Sequence, residues 1–367
     1  MSSNTGRHGH QQRSRRAGWS LAMLPVLFAA PYATANATDI TLPPVSIGAG
    51  LRTSFTSTNT DDPAAQDAND FNLDSARLYI NGAVMKDVKF MLNTEYTNTG
   101  AGDKKVDIID AVARFEFSDQ FNIWAGRFLP PSDRANLYGP YYASNWAVYS
   151  DGVQDGYPFK TTGRDDGVAY WGQFDKLKVS IGAFDSASTT GKSDVIGAAR
   201  VQLDLWDPEP GYYLNGTYYG DKDLLAFGLA GQTTSTDTAW SGDFLMEKKL
   251  GGAGVVGLES EYTFYNGLGG YDGNYGKSKG WYVLADYLFP QQIGIGKFQL
   301  LGKYAHADFE SGATSTDVDY AQKTTEVDLN YIIKTFNARM SLFYKDTSYD
   351  AVQYDFSQIG LGLQVQI

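Results

Sequence analysis

Along most of the chain, apolar and polar residues alternate with a period of two, the pattern of a strand with one apolar face. The last ten residues show it most plainly: Ile359, Leu361, Leu363, Val365 and Ile367 alternate with Gln358, Gly360, Gly362, Gln364 and Gln366. Segments of the same kind recur at Ser46–Ser57, Phe71–Val84, Lys89–Asn98, Val106–Phe117, Phe121–Leu129, Gly167–Gln173, Leu177–Phe184 and Ile196–Leu205. They continue at Leu224–Thr233, Trp240–Lys249, Gly254–Tyr265, Gly280–Phe289, Phe298–His306, Gln322–Ile333 and Ala338–Lys345, which makes sixteen in all. Long polar connections, such as Asp185–Asp194 and Ala307–Tyr320, alternate with short ones, such as Phe174–Lys176 and Lys334–Asn337. The apolar faces run for about 9–11 residues, the length that crosses a bilayer at a tilt. The pattern predicts an all-β fold, a 16-stranded antiparallel transmembrane β-barrel with short periplasmic turns and long external loops. Secreted sandwiches also use aromatic-rich alternating strands, but their polar faces do not carry charge and glycine opposite such continuous apolar faces.

Two stretches interrupt the alternation. Arg127–Arg164 is rich in Pro, Gly, Asn and Asp, and carries Tyr138, Tyr141, Tyr142, Trp146, Tyr149, Tyr157 and Phe159. A loop of this length in a compact domain is functional or disordered. The expectation is that this third external loop folds inward and narrows the barrel, with Asp133, Arg134, Tyr138, Tyr141, Tyr142, Asp151, Lys160 and Arg164 at the constriction. The other stretch, Trp206–Asp223, falls where a short turn belongs and reads either as a long periplasmic turn or as part of longer strands.

The parity of each strand assigns its faces. Arg52, Arg77, Arg114 and Arg339, with Glu95 and Glu116, fall on polar, inward faces. In the fourth strand Ile109 groups with the outward Ala111, Ala113 and Phe115. In the fifth strand Trp124 and Phe128 are assigned to lipid and Arg127 to the lumen, because a basic residue at the bilayer midplane costs about 2–4 kcal/mol. A basic wall opposite an acidic loop would orient dipolar solutes and bias ion passage. Alternatively, each arginine pairs locally with Glu95, Glu116 or Asp110 and stiffens the wall.

Charge and targeting sharpen this picture. Residues 1–35 carry Arg7, Arg13, Arg15 and Arg16, then the short apolar run Leu21–Ala30 and small residues through Ala35 and Ala37. This reads as a secretory signal peptide, leaving a barrel domain over 36–367. Removing those four arginines leaves 26 basic against 42 acidic residues, a net charge of −16, which argues against nucleic acid as a partner. An acidic exterior suits lipopolysaccharide bridged by divalent cations. The absence of cysteine excludes disulfides and thiolate sites. Beyond residue 35 there is one histidine, His306, which parity puts on the lipid-side rim. No nucleophile elbow or zinc-ligand spacing occurs, so neither catalysis nor a cofactor or metal is expected.

The segments RLYINGAVMKDVKFMLNTEY (Arg77–Tyr96), IIDAVARFEFSDQFNIWAGRFLPP (Ile108–Pro131), GRDDGVAYWG (Gly163–Gly172) and VDLNYIIKTFNARMSLFY (Val327–Tyr344) resemble the phosphate-selective porin O/P family of Gram-negative outer membranes. The resemblance implies a sixteen-stranded homotrimeric channel with an inward third loop and a basic anion site. Here Arg134, Lys160 and Arg164 are interspersed with Asp133, Asp151, Asp155, Asp165 and Asp166, so no phosphate site carries over residue by residue. The expected function is passive diffusion of small hydrophilic solutes or ions, phosphate among them. The alternatives are a porin for small neutral amides, or a non-conducting barrel acting as an adhesin or as a sleeve for a partner protein.

Overall fold

The computed structural model describes residues 44–98, 104–153, 163–185, 195–268, 275–311, 318–351 and 353–367. The signal-peptide segment and Lys160 lie outside these residues. Sixteen strands are present: β1 (Val45–Thr60), β2 (Ala68–Met85), β3 (Val88–Asn98), β4 (Lys104–Glu116), β5 (Asn122–Phe128), β6 (Asp165–Phe174), β7 (Leu177–Asp185) and β8 (Val195–Asp204). The second half comprises β9 (Leu224–Thr233), β10 (Thr238–Lys249), β11 (Val255–Asn266), β12 (Tyr275–Ile293), β13 (Gly296–Ser311), β14 (Tyr320–Lys334), β15 (Ala338–Tyr349) and β16 (Phe356–Gln366). Each strand pairs antiparallel with its chain neighbour, and β1 pairs with β16, so the sheet closes. Closure removes both sheet edges, which lets a sheet sit in lipid with its backbone groups satisfied. All sixteen predicted segments are strands, and their two-residue alternation is the burial pattern along the wall. In β16, Gly360, Gly362, Gln364 and Gln366 are inward, and Ile359, Leu361, Leu363 and Val365 are exposed outside.

The short turns collect at the end that carries the start of β1 and the end of β16. Lys86 and Asp87 join β2 to β3. Gly294 and Ile295 join β12 to β13, where the tight reversal puts Gly294 at φ 64. An L side chain is strained at such a φ, and glycine is not.

Two face assignments are reversed. Ile109 is buried at 1% exposure, because the ladder between β3 and β4 slips by one residue beside Asn93 and turns it inward. In β5, Trp124 and Phe128 point inward and are buried, whereas Arg127 points outward. Register explains it: Trp124 stands opposite the inward Arg114, and Arg127 opposite the outward Ala111. Arg127 forms a bidentate pair on the outer face with Asp166 of β6, at 2.7 and 2.9 Å.

Inside the barrel lies an apolar cluster. Trp124, Phe128, Trp171, Phe184 and Ile196 supply it from the walls, Leu129 and Leu137 from the segment after β5, and Tyr212 and Leu214 from the segment after β8. A water-filled lumen would not tolerate that inner surface, so its apolar content marks where chain fills the barrel.

Candidate channel constriction

Residues 129–153 leave β5 and enter the lumen. Gln232 donates to the Pro131 carbonyl at 3.0 Å and Arg200 to that of Ser132 at 3.1 Å. A single helical turn follows, α1 (Arg134–Tyr138), started by Asp133, whose carboxylate accepts the Asn136 N–H at 2.7 Å. Asp, Asn and Ser cap helices well because their oxygens reach the unpaired first-turn amides. The loop then crosses to the far wall, where side chains grip its backbone. Gln364 holds the Tyr141 carbonyl at 2.9 Å, and Arg339 holds those of Ala143 and Ser144 at 2.8 and 3.0 Å. Asp328 and Glu326 of β14 each accept a loop amide at 2.7 Å, from Trp146 and Ala147. The Trp146 indole sits under the Arg52 guanidinium, 4.1 Å from the ring centre, and stacks on Phe343 at 6.0 Å. Lys303 pairs with Asp151 on the return.

Residues 206–223 rise into the lumen from the opposite end and meet this loop. Arg134, fully buried, forms a bidentate ion pair with Glu209, also fully buried, at 3.0 and 2.7 Å. Burial opposes the Glu209 charge, but the Arg134 charge and hydrogen bonds outweigh it and hold the carboxyl well below its usual range. Leu214 N–H donates to the Leu137 carbonyl at 3.3 Å, and Gly216 N–H to that of Tyr142 at 2.9 Å. Tyr212 donates to the Leu129 carbonyl at 2.8 Å and packs on Trp124, with ring centres 4.7 Å apart. Gly216 suits this close approach, since a Cβ there would lie 3.2 Å from the Ala143 Cα and the Tyr142 oxygen and would push the two segments slightly apart.

Open space remains along the β1–β4 wall, as a cavity of about 630 Å³ lined by Arg77, Asn93, Asp110, Tyr142, Arg164 and Asn215 among others. Its two arginines are paired. Arg77 bonds Glu95 on the next strand and stacks over Tyr141. Arg164 meets Asp110 at 3.2 Å, and Asn93 donates to the other Asp110 oxygen at 2.8 Å.

The comparisons with known proteins agree with this architecture. No curated protein sequence matches the chain. Among solved structures it is similar to OprB of Pseudomonas putida, with a TM-score of 0.61 and 10% identity over 88% of this chain and 94% of that one. An anion-selective porin from Comamonas acidovorans superposes with a TM-score of 0.58 and 12% identity, covering 89% and 100% of the two chains. The trimer form of OmpT from Vibrio cholerae gives 0.53 and 13%, covering 89% and 99%. At such identities the likeness is one of fold. Residues 45–139, from β1 into the inward loop, match the family model of phosphate-selective porins O and P. The chain is an outer-membrane β-barrel whose lumen forms a channel for small solutes.

Arg52, Arg77, Arg114, Arg339 and Glu95 stand on inward faces of this barrel, but they do not form an open basic wall. Arg52 and Arg339 are covered by the loop and spend their donors on its carbonyls. Arg114 stacks over Trp124 with its Nε 3.7 Å from Glu116, near the mouth that carries the short turns, where Glu116 also accepts from Lys89 at 2.7 Å. Arg127 is outside the lumen altogether. Asp133, Arg134, Tyr141 and Asp151 hold the loop, Tyr138 bonds Glu259 and also lines the cavity, and Tyr142 and Arg164 reach the cavity. His306 is on the outward face beside Trp281, with Nε2 3.0 Å from Asp308. Parity alone missed the loop-gripping role of Asp328, Glu326 and Gln364. Only Asp328 left a signal, as an inward carboxylate standing opposite Leu301 and Phe343, whereas Glu326 stands opposite Lys303 and Lys345, and Gln364 opposite Arg52 and Arg339.

The grip on Trp146 is testable at Gly362, where a Cβ would lie 2.4 Å from the indole. Gly362→Val is expected to unseat the loop tip, at a cost of about 1–3 kcal/mol in overpacking, and to raise unitary conductance in planar bilayers. A variant with wild-type conductance would remove Trp146 from the account.

Proposed function

We propose that this porin passes small hydrophilic solutes by passive diffusion along the β1–β4 wall, with weak preference for ionic charge and good passage of uncharged polar solutes. The observation that carries this reading is the balance of charge beside the cavity. Arg77 is matched by Glu95 and Arg164 by Asp110, so anions meet no excess of basic groups. Asn81, Asn93, Asn215 and Asn337 line the same cavity, and side-chain amides both donate and accept hydrogen bonds. That chemistry favours neutral amide-like solutes over phosphate. The work is done by positioning alone, without catalysis or a cofactor. Residues 1–35 are removed as a signal peptide, and the barrel of residues 36–367 assembles as a homotrimer among lipid and lipopolysaccharide. The sixteen-strand wall and the similarity to a protein crystallised in a trimer form support that assembly.

Reversal potential under a KCl gradient tests the reading. Wild-type protein is expected to show a permeability ratio within about threefold of unity. Glu95→Gln with Asp110→Asn leaves two arginines uncompensated and is expected to shift the ratio severalfold toward chloride, since unpaired lining charge sets ion preference. Strong chloride preference in the wild type, with block by added phosphate, would overturn the neutral reading in favour of anion selection.

A further inference from the structure

The residues that narrow the channel come from both ends of the barrel. Residues 206–223 connect β8 to β9 at the end where the other connections are tight, yet they climb into the lumen and bond the inward loop at Leu137, Tyr142 and Arg134. The polypeptide beyond Arg134 is thereby braced from below. The same segment presents side chains to open space. Tyr213, Leu214 and Asn215 line the cavity of about 630 Å³ that holds Arg77 and Arg164. Tyr213 also lines a second cavity of about 570 Å³, bounded by Lys89, Arg114 and Glu116 at the mouth that carries the short turns. Tyr213 therefore stands between two wet compartments on the same side of the lumen. Both ring and amide are half-buried, whereas Leu214 between them is buried.

We propose that turn 206–223 is the periplasmic half of the channel's constriction, with Tyr213 and Asn215 as specificity-determining residues that solutes pass after Arg77 and Arg164. The inference rests on the diffusion reading above and adds the segment that completes its filter. The two side chains are uncharged, so they screen by size and hydrogen bonding and leave the two ion pairs upstream to set the charge preference. Because the turn is reached from the periplasm, its influence is lopsided: a bulky or charged group placed there acts more strongly on traffic entering from that side.

The chain has no cysteine, so single-cysteine variants of the full-length protein report one position each. Asn215→Cys and Tyr213→Cys, reconstituted in planar bilayers, are treated with a cationic and an anionic methanethiosulfonate reagent added to one side at a time. Asp221→Cys, at an exposed position of the same turn, serves as the reference. Modification at position 215 is expected to lower unitary conductance at least twofold, faster from the periplasmic side, and the two reagents are expected to shift the reversal potential in opposite directions. Modification at 221 is expected to leave conductance within about a fifth of its starting value. If Asn215→Cys does not fold, Tyr213→Cys carries the same test. Cysteines that are modified by mass yet leave conductance unchanged, or that resist modification in a conducting channel, overturn the proposal. A wild-type protein that conducts nothing overturns the diffusion reading itself, and the inference with it.

Discussion

Replacing Arg134 with methionine is expected to make the channel noisy and wider. Among the described residues, Arg134 is the one guanidinium that joins the inward loop to turn 206–223, and both it and Glu209 are fully buried. Removing one member of a buried pair leaves a charge without a counter-ion and costs about 3–5 kcal/mol. Glu209 would keep Gln202 and Tyr218 as donors, at 2.7 and 2.5 Å, and the charge of nearby Lys178, but no bonded cation. Asp243 would lose a second guanidinium 3.7 Å away, retaining Arg200. The barrel wall does not depend on this pair, because its ladders close without it. The free energy therefore falls on docking of the loop and turn, a local opening of the kind that precedes global unfolding. Single-channel records should show frequent excursions to higher conductance, and added protease should clip residues 206–223 faster. Glu209→Gln should do the same more mildly, and the double variant should cost less than the two singles together, since directly bonded residues couple. A quiet Arg134→Met channel with wild-type conductance would mean that the turn is held by its apolar packing alone.

The same plug explains which parts of the molecule were legible in the sequence. All sixteen strands could be read because a barrel wall between lipid and water imposes one periodicity from end to end. The rule that converts periodicity into faces assumes a wet lumen, and it failed in β5, where the lumen is filled. Trp124 and Phe128 resemble lipid-facing residues, but their partners are Tyr212 and Phe184 inside the barrel. Arg127 resembles a channel residue, but its partner is Asp166 on the outer face. Nothing in the 206–223 stretch alone says that it climbs inward. Its five tyrosine and tryptophan side chains (Trp206, Tyr212, Tyr213, Tyr218 and Tyr219) are the trace of that burial, and they acquire meaning only beside the apolar inner face of β5 to β8. Ile109 was misassigned for a different reason: a one-residue slip inverts every following face, and no residue type announces it. The inward loop was recognisable from its length and aromatics. Its anchors were not, because Asp328, Glu326 and Arg339 bond backbone groups, and backbone groups leave no mark in a sequence.

Loop docking is expected to be tightest at about pH 4.5 and to loosen on either side. Asp133 starts α1 from a buried position, and burial pushes its carboxyl up from 3.8 to about 6, with the nearby Asp243 adding to the rise and Arg200 opposing it. A carboxyl with a raised value in the folded state holds more protons than its unfolded counterpart between about pH 4 and 6. Stability therefore falls as pH rises through that window. Glu209 works in the opposite sense. Its value is held below the usual range, so its contribution is intact above the ordinary glutamate value and is lost as the solution becomes more acidic. The two limbs meet at about pH 4 to 4.5. Recordings at pH 7.5, 4.5 and 2.5 should give the fewest opening excursions at the middle value. Asp133→Asn keeps a good capping oxygen while removing the charge, so it should remove most of the difference between pH 7.5 and 4.5 and leave the acid limb in place. If that variant retains the wild-type slope above pH 4.5, the alkaline loosening arises elsewhere, and the buried carboxylates facing the loop from β10 and β11, Asp243, Glu259 and Glu261, become the groups to neutralise next.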